Sequence, residues 1–177
     1  MTNIQEEIKN IEFGSYPQTA NGDIQAIEWQ VLAKEENKMF VISKYALEAK
    51  RFDVSSNDWK NSEIRQWLNG DFYNNAFSEQ EKKNINPFNG DNVFLLSMEE
   101  ASKYFANNKE RKCNATEYAV KNGAYVDAKG CSYWWLRSPS YPNYSNIVAF
   151  VYRQGSFGYR YVYIAKYVAR PALWINI

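Results

Sequence analysis

Proton transfer near neutral pH most often recruits histidine, and this chain has none. Ser/His/Asp and Cys/His nucleophilic arrangements are therefore excluded. Two cysteines, Cys113 and Cys131, fall short of the four Cys/His ligands of a structural zinc site. They are either free core thiols or one disulfide. Neighbouring carboxylates remain, Glu99 with Glu100 and Asp53 with Asp58. These fit a solvated helix face or a polar loop better than a general acid/base pair. No glycine-rich phosphate loop precedes a helix. The expectation is a protein that is not an enzyme, with no cofactor and no metal.

Binding chemistry is concentrated near the end of the chain. Seven of the fourteen tyrosines lie between Tyr141 and Tyr167. Along Tyr159-Arg160-Tyr161-Val162-Tyr163-Ile164, a strand would put the tyrosines on one face and Arg160, Val162 and Ile164 on the other. Tyr, Ser, Asn, Gly and Arg are also the stock of antibody combining sites. There, tyrosine gives large, stiff contact area at low entropic cost. Candidate ligand contacts are Tyr141, Asn143, Tyr144, Asn146, Phe150, Tyr152, Arg153, Phe157, Tyr159, Arg160, Tyr161, Tyr163, Ile164 and Tyr167. The aromatics would anchor, Arg153 and Arg160 would pair with acidic groups, and Asn143 and Asn146 would bond adaptable polar groups. The plain alternative is an aromatic sheet face covered by a neighbouring element.

Charge supports the binding reading. No Asp or Glu follows Asp127, while Lys129, Arg137, Arg153, Arg160, Lys166 and Arg170 do. The whole chain carries only +1. The expected partner is a protein or glycan with acidic groups. Aromatics interleaved with arginine can stack on single-stranded nucleic acid, but the low net charge and lack of a long basic tract argue against that partner.

The elements that must position these residues read as an α+β domain. Its helices lie in the first two-thirds and its C-terminal third is rich in strands. At 177 residues one domain is expected. "IEFGSYPQ" reads as a strand, and Ile27–Ala33 with Met39–Ser43 as a hairpin. An amphipathic helix runs through Ile64, Trp67, Leu68 and Phe72, capped by Asn61 or Ser62. Ser78 with Glu81 and Ser97 with Glu100 are capping boxes. "VFLLS" reads as a buried strand, and "NATEYAVKNG" as a helix stopped by Gly123. In "YWWLRSP", Trp134 and Trp135 must face opposite ways on a strand. Arg137 and Arg170, each near a proline, read as structural arginines bonded to loop carbonyls or carboxylates. "NIVAFVY", "YRYVYIA" and "RPALWINI" are strand-like. The first residues carry no signal-peptide pattern, and no apolar run approaches the ~20 residues of a membrane helix. A soluble chain made in the cytoplasm is expected, with display on a surface or phage particle through a partner left open.

Taken in order, "IEFGSYPQ", "IEWQVLAKEENKMFVISKYALEAKRF", "IRQWLNGDFYNNAFSEQEKKNI", "VFLLSMEEASKYF", "ATEYAVKNGAY", "WWLRSP" and "VARPALWINI" resemble a family of bacterial and phage domains of the C-type lectin fold, of the formylglycine-generating-enzyme type. Many members are variable proteins of diversity-generating retroelements. In these, error-prone copying at adenines rewrites a segment ending near "RPALW". Randomised Asn codons reach Tyr, Phe, Ser, Asn, Ile and Arg, but never Lys or Gln. The resemblance implies a scaffold of residues 1–139 and 168–177 and a diversified binding segment at 140–167, with Gln154 and Lys166 outside that codon pattern. It leaves two other readings: a fixed structural or carbohydrate-binding member, and a formylglycine-type oxidase. The oxidases use a C-terminal cysteine pair, whereas Cys113 and Cys131 both precede "WWLRSP", so no catalytic role carries over.

Overall fold

Alternating β-formers at the start of the chain fold as expected. The computed structural model describes residues 9–140 and 144–177. Strand β1 (Asn10–Pro17) pairs antiparallel with β2 (Ile24–Lys34), which pairs antiparallel with β3 (Lys38–Ser43). The last strand, β10 (Ala172–Asn176), lies against β3 and is flanked by the two-residue β5 (Ile85–Asn86). The first sheet thus has the order β1-β2-β3-β10-β5. A second sheet has the order β4-β9-β6-β7-β8. Its strands are β4 (Glu48–Ala49), β9 (Val168–Ala169), β6 (Trp134–Pro139), β7 (Ile147–Val151) and β8 (Phe157–Tyr161). With the short helices between them, the architecture is mixed α+β.

Helix ends follow the caps. Ser62 Oγ accepts from the Arg65 N–H to start α1 (Glu63–Trp67). Both capping boxes form, Ser78 with Glu81 at α3 (Glu79–Lys82) and Ser97 with Glu100 at α4 (Met98–Tyr104). Thr116 caps α6 (Glu117–Lys121), and Gly123 follows it at φ +102°, a conformation open to glycine. The amphipathic helix is less regular than its periodicity implies. A π-turn at Leu68–Phe72 separates α1 from α2 (Tyr73–Ala76). There Asn69 Nδ2 donates to the Arg65 carbonyl, which an α-ladder would give to the residue 69 N–H, and Asn69 Oδ1 accepts from Asn92 and Val93 N–H. A further short helix, α5 (Asn108–Arg111), was not signalled by periodicity.

"VFLLS" is buried but is not a strand. Val93 to Leu96 are covered, and only Phe94 makes a bridge, to Ala172. The final two strands of the second sheet are buried on both faces only as far as β7. Trp135, Val148 and Phe150 pack into one apolar cluster with Trp29, Phe52 and Phe72. Trp134, Leu136, Ala149 and Val151 pack into another with Phe40, Phe94 and Trp174. Burial on two faces accounts for the unbroken apolar run "IVAFV", since no face needs polar residues. Residues 148–151 are therefore core, so the segment 140–167 is not a display surface throughout.

Candidate functional site

β8 ends the second sheet, so its side chains meet solvent. Tyr159, Arg160 and Tyr161 are exposed there. The antiparallel register sets their faces, because directly paired residues project to the same side. Tyr159 and Tyr161 pair with Ala149 and Ile147, whereas Arg160 pairs with Val148 and Gly158 with Phe150. Tyr159 and Tyr161 thus share one face of this edge strand, as their spacing implied, while Tyr152 and Tyr167, from outside the strand, lie with Arg160 on the other. The strand also stops at Tyr161. Residues 162 and 163 turn, Val162 is buried, and Tyr163 folds back so that its ring stacks on Tyr161 at 5.3 Å and 10°. On the outer face Tyr159 reaches Met98 Sδ at 3.9 Å.

The other face holds a groove of about 420 Å³ lined by Tyr125, Tyr133, Tyr152, Arg160, Ile164, Lys166 and Tyr167. Its floor is aromatic. Tyr133 stacks on Tyr167 at 5.0 Å and 12°, Tyr152 meets Tyr133 edge-on at 6.1 Å, and Phe150 lies 4.5 Å from Tyr152 and 4.8 Å from Tyr167. Gly158 makes room for this: a Cβ there would come within 2.4 Å of the Tyr152 ring. The groove's outer wall, the 162–167 turn, is pinned by backbone bonds. Val162 N donates to Asn146 O, Phe52 N to Val162 O, Tyr125 N to Lys166 O and Lys50 N to Tyr167 O.

Two cations border the groove. The Lys166 ammonium lies over the Tyr125 ring at 5.7 Å. The Arg160 guanidinium sits beside the Tyr167 hydroxyl. Burial pushes the Tyr167 phenol up, and Arg160 pulls the other way. Neither cation forms an ion pair among the described residues.

The remaining expected contacts fall as follows. Tyr144 is exposed, with its carbonyl accepting from Asn57 Nδ2. Asn146 is half-buried, and its carbonyl fixes Val162. Arg153 is exposed near Asp127. Phe157 is half-buried beneath the buried Arg111 guanidinium, 4.4 Å away. Ile164 is half-buried in the groove wall. Two expectations need correcting. Phe150 is wholly buried, because it sits on an inner strand beneath the tyrosines, and it supports the groove rather than meeting a ligand. Tyr167 is only 8% exposed, so it offers a ring edge, not an anchor. Tyr141 and Asn143 lie outside the described residues.

The carboxylates considered for catalysis have other occupations. Asp53 accepts from the Ser55, Ser56 and Glu63 N–H groups. Asp58 caps the 3₁₀ turn Trp59–Asn61. Glu100 holds Arg137 through both oxygens, at 2.5 and 2.8 Å. Glu99 is an exposed helix residue. Arg137 also donates to the Leu95 carbonyl, and Arg170 donates to Ser43 O while lying 4.8 Å over Trp134. Both are structural, as expected. The cysteines are free: Cys113 is buried, with its thiol pushed up by burial, and Cys131 is half-exposed. Among the described residues no group of three or more His, Cys, Asp or Glu could hold a metal, and no helix is long and apolar enough to cross a membrane.

Sequence reasoning missed Tyr125, Tyr133 and Lys166 as groove residues. Tyr125 and Tyr133 lie outside the dense segment and reach it only through the fold. The Tyr125 N–H bond to Lys166 O and the parallel pairing of β6 with β9 bring them in. No local pattern carries that information. It also missed a half-buried pair, Tyr16 and Glu48, whose 2.5 Å hydrogen bond joins β1 to β4. Burial raises the pKa of both.

Residues 36–177 match the model of a family described as a domain of unknown function, DUF6273, and the chain belongs to that family. No curated protein and no solved structure matches the chain.

Proposed function

We propose that this chain is a non-enzymatic recognition domain of the C-type lectin fold, whose ligand is held by the 140–167 segment together with the groove beneath it. The observation that carries the reading is the groove itself: four tyrosines and an isoleucine bordered by Arg160 and Lys166, two cations without an ion pair among the described residues. Tyrosine and arginine lead binding hot spots. Exposed Tyr144, Tyr159, Tyr161 and Tyr163 extend the aromatic surface around the β8 edge. The fold assignment is supported by the two sequence marks, which meet in space: Arg170 of "RPALW" stacks on Trp134 of "WWLRSP". Diversification of the segment by a retroelement is part of the same proposal. Its support is the mixture of Tyr, Phe, Asn, Arg, Ser and Ile between those marks.

The test is a selection of binders from a randomised peptide library and a glycan array. The wild type is compared with the Tyr144→Ser, Tyr159→Ser, Tyr161→Ser, Tyr163→Ser combination. Ligands selected on the wild type should bind the variant at least about tenfold more weakly. Failure to select any ligand, or full retention of binding by the variant, overturns the proposal. Sibling gene copies should differ within 140–167 and agree outside it.

A further inference from the structure

The two groove cations are held by aromatic side chains and not by carboxylates. Other exposed cations do meet carboxylates, as Arg51 does Glu63 and Lys44 does Glu28. Arg160 and Lys166 rest instead on tyrosines, one beside the Tyr167 hydroxyl and one over the Tyr125 ring. Such contacts orient a cation without cancelling its charge. Two like charges on one concave, aromatic-walled site sum to a positive potential that favours an anion there.

The lining narrows the anion further. Its hydrogen-bonding groups are four phenols and two cations, with no Asn, Gln, Asp or Glu among the described lining residues. A sugar acid would present many hydroxyls that want amides and carboxylates as paired donors and acceptors, and the groove lacks them. It offers ring faces and edges: the stacked Tyr133 and Tyr167, the edge-on Tyr152, the side of Ile164. Aromatic rings pack on such surfaces in offset or edge-on geometry. The volume, about 420 Å³, lies within the range of small-ligand clefts.

We infer that the groove binds an aryl group bearing an anionic head, the ring against Tyr133 and Tyr152 and the head between Arg160 and Lys166. The inference rests on the recognition reading and gives its groove a ligand class. The same chemistry comes from a free aryl phosphate, sulfate or carboxylate, or from a modified tyrosine on a peptide. Arg160 would then exchange a phenol acceptor for an anionic one, and the bond between opposite charges is the stronger of the two.

The experiment is calorimetric titration of the full chain with phenyl phosphate, inorganic phosphate and phenol. Phenyl phosphate should bind saturably, and each half alone at least about tenfold more weakly. Arg160→Gln and Lys166→Gln should each weaken phenyl phosphate about tenfold, with unchanged near-ultraviolet circular dichroism. Lys103→Gln, which removes an exposed cation over the Tyr104 ring outside the groove lining, should leave it unchanged. Absence of saturable phenyl phosphate binding overturns the inference, as does equal affinity for inorganic phosphate or indifference to both groove substitutions. A phosphotyrosine peptide tested beside free phenyl phosphate separates the sources: tighter peptide binding assigns the head to a polypeptide, and equal binding assigns it to a small molecule. Successful library selection without phenyl phosphate binding defeats this inference alone. Phenyl phosphate binding without any selected ligand defeats the wider recognition reading and leaves the groove assignment standing.

Discussion

β6 and β8 stand in the same sheet with β7 between them, and both are built from aromatics and arginine. Their fates differ. β6 has neighbours on both sides and apolar clusters on both faces, so Trp134, Trp135 and Leu136 are fully buried. Its Arg137 is taken up by a carbonyl and by both oxygens of Glu100. Among the described residues β8 pairs only with β7. Tyr159, Arg160 and Tyr161 stay exposed, and Arg160 has a phenol where Arg137 has a carboxylate. The residue types are nearly the same, so composition does not decide which strand is scaffold and which is surface. Position in the sheet does, through the number of sides and faces left to water.

The sharpest way to break this comparison is to remove a β6 tryptophan. Trp135 touches Phe52 and Tyr167, and its indole N–H donates to Lys50 O at 2.8 Å. Trp135→Ala should cost about 3–5 kcal/mol, as for large aromatics in closed cores. Trp134→Ala should cost a similar amount and also uncover Arg170. Chemical denaturation measures both. A loss of only about 1 kcal/mol in either variant would mean that β6 is no more scaffold than β8.

That contrast shows what the sequence made legible. Local rules were readable because they act over a few residues: the capping boxes at Ser78 and Ser97, the Gly123 stop, the β2–β3 hairpin and the opposed tryptophans. Failures came where distant chain decides. The parity of Tyr159, Tyr161 and Tyr163 was right for the first two, but the strand ended at Tyr161 because Val162 turns inward and bonds to residues 52 and 146. Phe150 looked like Tyr152 in composition, yet β7 is inner and buries it. The two-residue strands β4, β5 and β9 are too short to show a period. The groove's Tyr125 and Tyr133 come from outside the segment that density singled out.

The second sheet has another edge, β4, and it is handled in the opposite way from β8. Tyr16 from β1 covers it and donates to Glu48. Burial raises the Glu48 pKa, against the hydrogen bond from Tyr16 and the charge of Lys50. The folded chain therefore keeps a proton that the unfolded chain releases from about pH 4.3 upward. Stability from this group is greatest below that pH and falls as pH rises through the folded value. Glu48→Gln keeps an acceptor for Tyr16 and cannot titrate, so it should flatten the slope and raise stability on its alkaline side. The gain should be smaller than the tryptophan losses. Unfolding followed from pH 4 to pH 8 checks it, and an unchanged slope in the variant would remove the covered-edge half of the comparison.

The smallest effect should come from the open edge. Tyr161 and Tyr163 are exposed by 44% and 51%, and their main contact is with each other, at 5.3 Å. Stacked rings gain about 0.5–1.5 kcal/mol beyond burial in closed settings, but here one face of each ring already meets water. Tyr161→Ser and Tyr163→Ser should each move stability by about 0.5 kcal/mol or less, as ordinary surface changes do. The double variant should cost less than the sum of the two, because either single change already breaks the stack. Thermal melts of the three variants beside Trp135→Ala read this directly. If either serine variant destabilises the protein as much as the tryptophan variant, the tip of β8 is structural, and the freedom to change that the proposed diversified surface needs is absent at its most exposed point.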